Sequence, residues 1–384
     1  MKSISLIGST GSIGRQVCAV VRRHSEQFNI VSMVANTSSE VFLRQVKEFK
    51  PKYAVLMDEQ AGKQIAAQIP DGVHFCYGKQ AGLNAIAYGD VAFIATTGFA
   101  GLEYTLKAIE LKKDIALANK ETLVCAGEWV MQKVRQAGIR LMPVDSEHSA
   151  IWQALHFDLN ANFKRLIITA SGGPFYGKSR QELKEITPEK ALKHPTWQMG
   201  AKITVDSATL LNKGFEVIEA KWLYNCGLDK IHTVVQPTSI IHSLVEFEDN
   251  AVLAQMSYPT MEIPIQLALT YPNRLKCDLP PLNLEELATI RFLPLNREDF
   301  PCYDLALTSA EAGDNYACAL NGAGEVAVKG FLEGQIPFLS IADVMQETLS
   351  KVQRQKIENY EVLKETDDKA RAIAREYIAK NYIK

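Results

Sequence analysis

PVDSEHSAI, residues 143–151, gathers two acids, a histidine and two serines directly after the apolar run IRLMPV. Asp145 and Glu147 stand two apart, so in an extended segment both carboxylates face the same side. Paired hard oxygens at the carboxyl end of a strand suit Mg²⁺ or Mn²⁺. A third oxygen ligand is offered by DSATLLNKGFEVIEAKW, where Asn212 and Glu216 are four apart and share a helix face. A structural reading stands beside this one: Asp145 or Ser146 caps a helix that begins HSAIWQAL. On the DSE run alone, both readings stay open.

TASGGPF, residues 169–175, has the form of a phosphate-accepting turn, with Ser171 and the amides near Gly172 and Gly173 as donors. Ser207, Asn212 and Lys213 would complete the cradle with two neutral donors and one point charge. The alternative is an N-cap and solvated helix polars. ALANKETL ends another apolar run with Asn119, Lys120 and Glu121. A lysine there can stabilise oxyanion charge beside a nicotinamide, although a lysine at a strand end ordinarily faces solvent. HPTWQMG, residues 194–200, sets Trp197 and Met199 in a loop bounded by Pro195 and Gly200. Such side chains close over a ligand and exclude water, or else anchor the loop on the core. His194 taken alone reads as a surface or satisfied histidine.

ISLIGSTGSIGRQV places Gly8, Gly11 and Gly14 between a strand and a helix. Glycine lets the backbone amides of a helix N-terminus approach a pyrophosphate, although the spacing is GxxGxxG rather than GxGxxG. In a plain βα turn the same glycines would serve only the chain reversal. The second strand ends in VANTSSE, with Ala35, Asn36, Thr37 and Ser38 where an acid would hold the ribose of NAD. Thr37 and Glu40 have the spacing of a capping box, which assigns Glu40 to the next helix. The missing acid favours NADPH, with hydroxyls and amides gripping the 2′-phosphate because no arginine or lysine stands there.

These residues need elements to hold them. Residues 1 to about 145 alternate apolar runs (ISLIG, NIVSMV, YAVLM, VHFCY, VAFIAT, DIALAN, IRLMPV) with helix-period segments such as Ile13, Val17, Val20 and Val21. That rhythm predicts a Rossmann-like, doubly wound parallel sheet. After residue 150 the pattern turns α+β: KRLIITA, KITV and IHTVVQ read as strands, and IIHSLVEF with AVLAQMSY as a hairpin. The proline-rich stretch 272–300 reads as a linker arm, and 301–384 as an α-helical domain.

At 384 residues, with 47% apolar and 22% charged side chains, the chain is expected to fold as several soluble domains. A net charge of −2 without a Lys/Arg block argues against nucleic acid as partner. No apolar run reaches about 18 residues, which argues against a membrane, and a strand-like run from Ile4 leads to the expectation of a cytoplasmic protein. Seven scattered cysteines without a CxxC pair are expected as reduced core thiols.

GSTGSIG, LANKETLV, PVDSEHSAIWQAL, TASGGPF, HPTWQMG and ITVDSATLLNKGFEVIEA, in this order, resemble the 1-deoxy-D-xylulose 5-phosphate reductoisomerase family, and the likeness continues through QPTSIIHSLVEF to the helical end. The resemblance implies an NADPH domain (1–145), a catalytic and dimerisation domain (146–271) with a flap near 186–200, the linker arm and the helical domain. It implies conversion of 1-deoxy-D-xylulose 5-phosphate to 2-C-methyl-D-erythritol 4-phosphate, an early step of non-mevalonate isoprenoid synthesis, by a retro-aldol and aldol pair followed by hydride transfer. Asp145, Glu147 and Glu216 would bind Mg²⁺ or Mn²⁺, with Co²⁺ as an alternative. Ser146 and Lys120 would contact the substrate backbone, and Ser171, Ser207, Asn212 and Lys213 its phosphate, with His194 nearby. Trp197 and Met199 would belong to the closing flap, and His148 and His242 would either support the groups that touch the ligands or transfer protons. The implied NADPH set is Gly8, Thr10, Gly11, Ser12, Ile13, Ala35, Asn36, Thr37, Ser38, Asn119, Glu121 and Gly200.

Two departures from the family pattern stand out: Ala170 where a glycine is common, and NGAGE (321–325) for NAANE, which is expected to loosen its helix. Two rivals remain. A semialdehyde-type dehydrogenase would need a nucleophile, for which Cys125 is the nearby thiol, and a regulatory protein would bind NADPH without turnover.

Overall fold

The computed structural model describes residues 1–197 and 199–383, which divide into two compact units. The first unit comprises Met1–Thr122, Val130–Ser149 and Met261–Asp278; the second comprises Leu123–Trp129, Ala150–Thr260 and Leu279–Lys384.

In the first unit the seven apolar runs are the strands of one sheet: β1 (Lys2–Ile7), β2 (Phe28–Ala35), β3 (Tyr53–Leu56), β4 (His74–Tyr77), β5 (Val91–Ile94), β6 (Asp114–Leu117) and β7 (Leu141–Pro143). Their order is β4-β3-β2-β1-β5-β6-β7, with every neighbouring pair parallel. Every residue of β3 and β5 is buried, which is why these runs are apolar without alternation. The order reverses direction between β1 and β5, so the crevice outside their carboxyl ends is where a ligand of such a sheet binds. The helix Ser12–Arg23 buries Gly14, Val17, Cys18, Val20 and Val21, the face its apolar spacing marks out.

In the second unit β8 (Arg165–Ala170), β9 (Ile231–Val235), β10 (Ile241–Glu246), β11 (Val252–Met256) and β12 (Leu293–Pro294) form a mixed sheet in the order β11-β10-β8-β9-β12. β8 and β9 are parallel, and β10 and β11 form the expected hairpin. KITV is not a strand; it lies in the helix Ala201–Ala208. Gly200 caps that helix, Thr204 Oγ1 donates back to Gly200 O at 2.8 Å, and Lys202 pairs with Asp206 one turn on at 2.6 Å. Four residues are too few to separate a period of 2 from one of 3.6. The stretch 272–300 contains the short helix Leu284–Leu287 and β12, which its prolines concealed.

Helices Pro301–Ala312, Tyr316–Leu332, Ser340–Lys351 and Tyr360–Tyr382 complete this unit. NGAGE lies within an unbroken helix. A Cβ on Gly322 would stand 2.9 Å from Asp367 Oδ1, so the glycine admits a close helix–helix approach instead of loosening its own helix.

Candidate active site

β1 runs into Gly8 at φ +89°, where a Cβ would come within 2.6 Å of Ala95 O, just past β5. A Cβ on Gly14 would stand 2.2 Å from Gly8 O. The turn is therefore wound as tightly as backbone allows. The amides of Gly8 and Ser9 both donate to Val34 O, at 2.8 and 2.9 Å. The first turn of helix Ser12–Arg23 is Ser12, Ile13, Gly14 and Arg15, which sets no carboxylate against the amides that open it. This geometry fits a pyrophosphate. Beyond β2, Ala35 is buried while Asn36, Thr37 and Ser38 are exposed. The expected capping box is not formed. The cap of helix Ser39–Phe49 is Ser38, because Thr37 O accepts Ser39 N at 2.8 Å and delays the start by one residue; Glu40 is an exposed first-turn residue.

Asn119 caps the helix Lys120–Ala137, its Oδ1 accepting Thr122 N at 3.0 Å. Its Nδ2 donates to Thr96 O, Gly98 O and Glu121 Oε2 at 3.0, 3.0 and 2.9 Å. The Asn119 side chain is thus engaged within the chain, and only its backbone is left for a cofactor. A Cβ on Gly101 would lie 2.2 Å from Asn119 Oδ1, so a glycine there makes room for the cap.

The cap delivers Lys120, which is 8% exposed, to Asp145, with Nζ 2.5 Å from Oδ2. The DSE segment is not extended as its spacing suggested: the helix Ser146–Ala154 starts within it, and Asp145 O accepts Ser149 N at 2.8 Å. Asp145 therefore caps with its backbone and leaves its carboxylate for the site, which reconciles the two readings of the run. Ser146 Oγ donates to Glu147 Oε2 at 2.6 Å, and Asp145 and Glu147 offer oxygens within 4.8 Å of each other. Burial pushes the Asp145 carboxyl up, but Lys120 and His148 outweigh it and hold the group well below the ordinary carboxylate range. The two neighbouring carboxyl groups offer hard oxygen donors, which fit a divalent cation.

In the second unit Ser171 Oγ lies 3.1 Å from His194 Nε2. His194 Nδ1 accepts the amides of Thr196 and Trp197 at 3.1 and 3.0 Å, so Nε2 carries the hydrogen and donates to Ser171. Burial lowers the His194 pKa, in keeping with a neutral ring. Gly173 N also donates to Ser171 Oγ, at 3.2 Å. With two bonds accepted, the Ser171 hydroxyl has its proton left to give, the polarity a phosphate requires. Trp197 and Met199 are half-buried, Trp197 stands 6.3 Å from the His242 ring, and His242 Nε2 meets Ser257 Oγ at 2.9 Å. Gln198, in the same loop, lies outside the described residues.

Ser207 sits half-buried near the end of helix Ala201–Ala208. The next helix, Leu211–Leu223, carries Asn212, Lys213 and Glu216. Lys213 is ion-paired with Glu216, and its Nζ donates to Thr169 O at 2.6 Å, at the end of β8 two residues before Ser171. Asn212 Nδ2 donates to Glu216 Oε1 at 2.6 Å. Lys213 and Glu216 are both buried, so these three residues form one hydrogen-bonded group.

Family profiles match the chain in succession: 1-deoxy-D-xylulose 5-phosphate reductoisomerase over residues 4–127, its C-terminal domain over 141–224, and the DXP reductoisomerase C-terminal domain over 256–373. The chain belongs to the 1-deoxy-D-xylulose 5-phosphate reductoisomerase family. It is 47% identical to the reductoisomerase of Halalkalibacterium halodurans over 358 residues, which is 92% of this chain and 94% of that one. It is 44% identical to that of Clostridium botulinum strain Okra over 387 residues, covering 100% of both chains. Among solved structures, the Zymomonas mobilis reductoisomerase in complex with NADPH superposes with a TM-score of 0.92 at 36% identity, covering 98% of this chain and 99% of that one. A DOX-P reductoisomerase holding NADPH, fosmidomycin and magnesium gives 0.92 at 33% identity, covering 98% of each.

Membership of the reductoisomerase family agrees with the state of Cys125. That thiol is 1% exposed, and burial together with the neighbouring Cys318 pushes its pKa well above the ordinary value, so it is not an activated nucleophile. None of the seven cysteines is in a disulfide; Cys18, Cys125, Cys302 and Cys318 are buried, whereas Cys76, Cys226 and Cys277 are half-exposed. Among the described residues, no helix is long and apolar enough to cross a membrane. Sequence reasoning overlooked the clamp of Gly101 on Asn119 and the part played by Thr169. Thr169 anchors Lys213 through its carbonyl and β10 through its hydroxyl, which donates to Ile241 O and His242 O at 2.8 Å. A polar residue inside an otherwise apolar strand was its signal.

Proposed function

We propose that the residues described above carry the family's reaction in this chain. The chain rearranges and reduces 1-deoxy-D-xylulose 5-phosphate to 2-C-methyl-D-erythritol 4-phosphate, with NADPH and a divalent metal ion. The observation that carries this reading is the carboxylate pair of Asp145 and Glu147 beside buried Lys120.

In this reading Asp145, Glu147 and Glu216 hold Mg²⁺ or Mn²⁺. The ion, when bound, polarises the substrate carbonyl and acidifies its hydroxyl, and NADPH supplies the hydride. Lys120 stabilises charge that develops on substrate oxygen, where its low exposure strengthens the effect. Ser146 positions the substrate backbone. The Ser171 proton, Ser207, Asn212 and Lys213 take the phosphate, and the His194–Trp197 loop excludes water. The glycine turn with Thr10, Ser12 and Ile13 receives the pyrophosphate, and Asn36, Thr37 and Ser38 the adenosine end. Relatives whose structures hold NADPH and magnesium support the assignment of both groups.

The reading also divides the chain into an NADPH domain, a catalytic domain, an arm and a helical domain, and makes the protein a cytoplasmic homodimer. Its support for self-association is the end strand β11, which exposes Val252 and Leu253 on the edge of a sheet. Sedimentation at the mass of a single chain would remove the dimer. For the reaction, NADPH absorbance is followed with the sugar phosphate and Mg²⁺ or Mn²⁺, and then with EDTA. Oxidation that requires both sugar phosphate and metal is expected; oxidation indifferent to EDTA would remove the metal from the reading.

A further inference from the structure

Gln45 belongs to none of the groups assigned above, yet it is a polar side chain only 7% exposed in the middle of helix Ser39–Phe49. Its Nε2 donates to Ser9 O at 2.8 Å and faces Cys18 Sγ at 3.6 Å. Both amide hydrogens are thus directed at the glycine turn and at the helix that follows it. Ser9 is fully buried, its N–H is taken by Val34 O, and Gly14 packs against its carbonyl, where a Cβ would come within 2.6 Å.

We infer that Gln45 is a positioning residue for the dinucleotide: by holding Ser9 O it fixes the direction of the Thr10 amide without touching the cofactor. The Ser9–Thr10 peptide is planar and trans, so its C=O and N–H point opposite ways. Drawing the carbonyl toward helix Ser39–Phe49 turns the Thr10 N–H away from that helix. The same helix begins at the end of the exposed Asn36–Ser38 loop, so Gln45 ties the pyrophosphate turn to the loop assigned to the adenosine end. Reversing its amide would set oxygen against oxygen at Ser9, which fixes the orientation of the side chain.

The inference rests on the dinucleotide reading, and the test separates the two. Gln45→Met keeps size and removes the donor. NADPH binding, read by cofactor fluorescence, should weaken about tenfold, with NADH weakened by the same factor. Binding of 2′-AMP, which has no pyrophosphate, should stay within about twofold, as should the KM for the sugar phosphate. Unchanged NADPH affinity overturns the inference; so does parallel weakening of NADPH, 2′-AMP and sugar phosphate, which marks general loosening. Should Gln45→Met fail to fold, Gln45→Asn, which retracts the same amide by one methylene, takes its place with the same expectations. A wild-type chain that does not bind NADPH removes the dinucleotide reading itself, and this inference with it.

Discussion

The glycine turn of the first unit and the Asn212–Lys213–Glu216 group of the second are built from different material. The turn presents backbone: Gly8, Gly14 and the amides between them act because side chains are absent. The second group presents side chains, with two buried opposite charges and an amide bonded to one another and to Thr169 O. A backbone site fails when something is added. A side-chain site fails when something is removed, because the remaining partner is left buried and unsatisfied.

The largest expected effect tests the second half of that contrast. Glu216→Gln removes the carboxylate that pairs with buried Lys213, a loss of about 3–5 kcal/mol in comparable pairs. Metal-dependent turnover should fall about a hundredfold or more, with NADPH binding retained. Wild-type turnover in this variant would take Glu216 out of the ligand set.

Gly14→Ala tests the other half. Its Cβ would meet Gly8 O at 2.2 Å, so the turn must open at a cost of about 1–3 kcal/mol. Calorimetry should show a lower Tm and fluorescence a weaker NADPH complex, while the KM for the sugar phosphate stays near wild type. Equal damage to both ligands would erase the distinction between the two sites.

The smallest effect comes from pH, to which a backbone site does not respond. Burial lowers the His194 pKa, so the folded state resists protonation. Stability from this source is whole above the unfolded value of about 6.5 and declines as pH falls below it, until the lowered folded value is passed. Between pH 7 and 5 the metal-free wild type should therefore lose slightly more Tm than His194→Gln, by about 1 °C. A steeper loss in the variant would reverse the sign and place a charged imidazole in the fold.

The same contrast explains what could be read from the sequence. Seven strands were legible because a sheet covered on both faces demands uninterrupted apolar runs, as in β3 and β5. Asn212 and Glu216 were legible as a pair because four-residue spacing places them on one helix face, whereas the ion pair of Lys213 with Glu216 was not read from the sequence. The DSE run left two readings open, extended or opening a helix, since spacing cannot say where a helix begins when its cap is a backbone carbonyl. KITV was misread because it is shorter than the period that would identify it. Gly101 and Gln45 left no signal at all, because each acts through a contact 18 or 36 residues away along the chain.

The exposed Asn36–Thr37–Ser38 loop has a consequence for how this enzyme can change over generations. Asn36 and Thr37 are exposed and cap no helix, and surface substitutions of that kind shift stability by about 0.5 kcal/mol or less. In the proposed reading the same residues meet the adenosine end of the cofactor, so substitutions there would change the preference between NADPH and NADH at little cost in stability. Gly8 and Gly14, where a Cβ would run into backbone, have no such freedom, so in this reading coenzyme preference can change more easily than the turn itself.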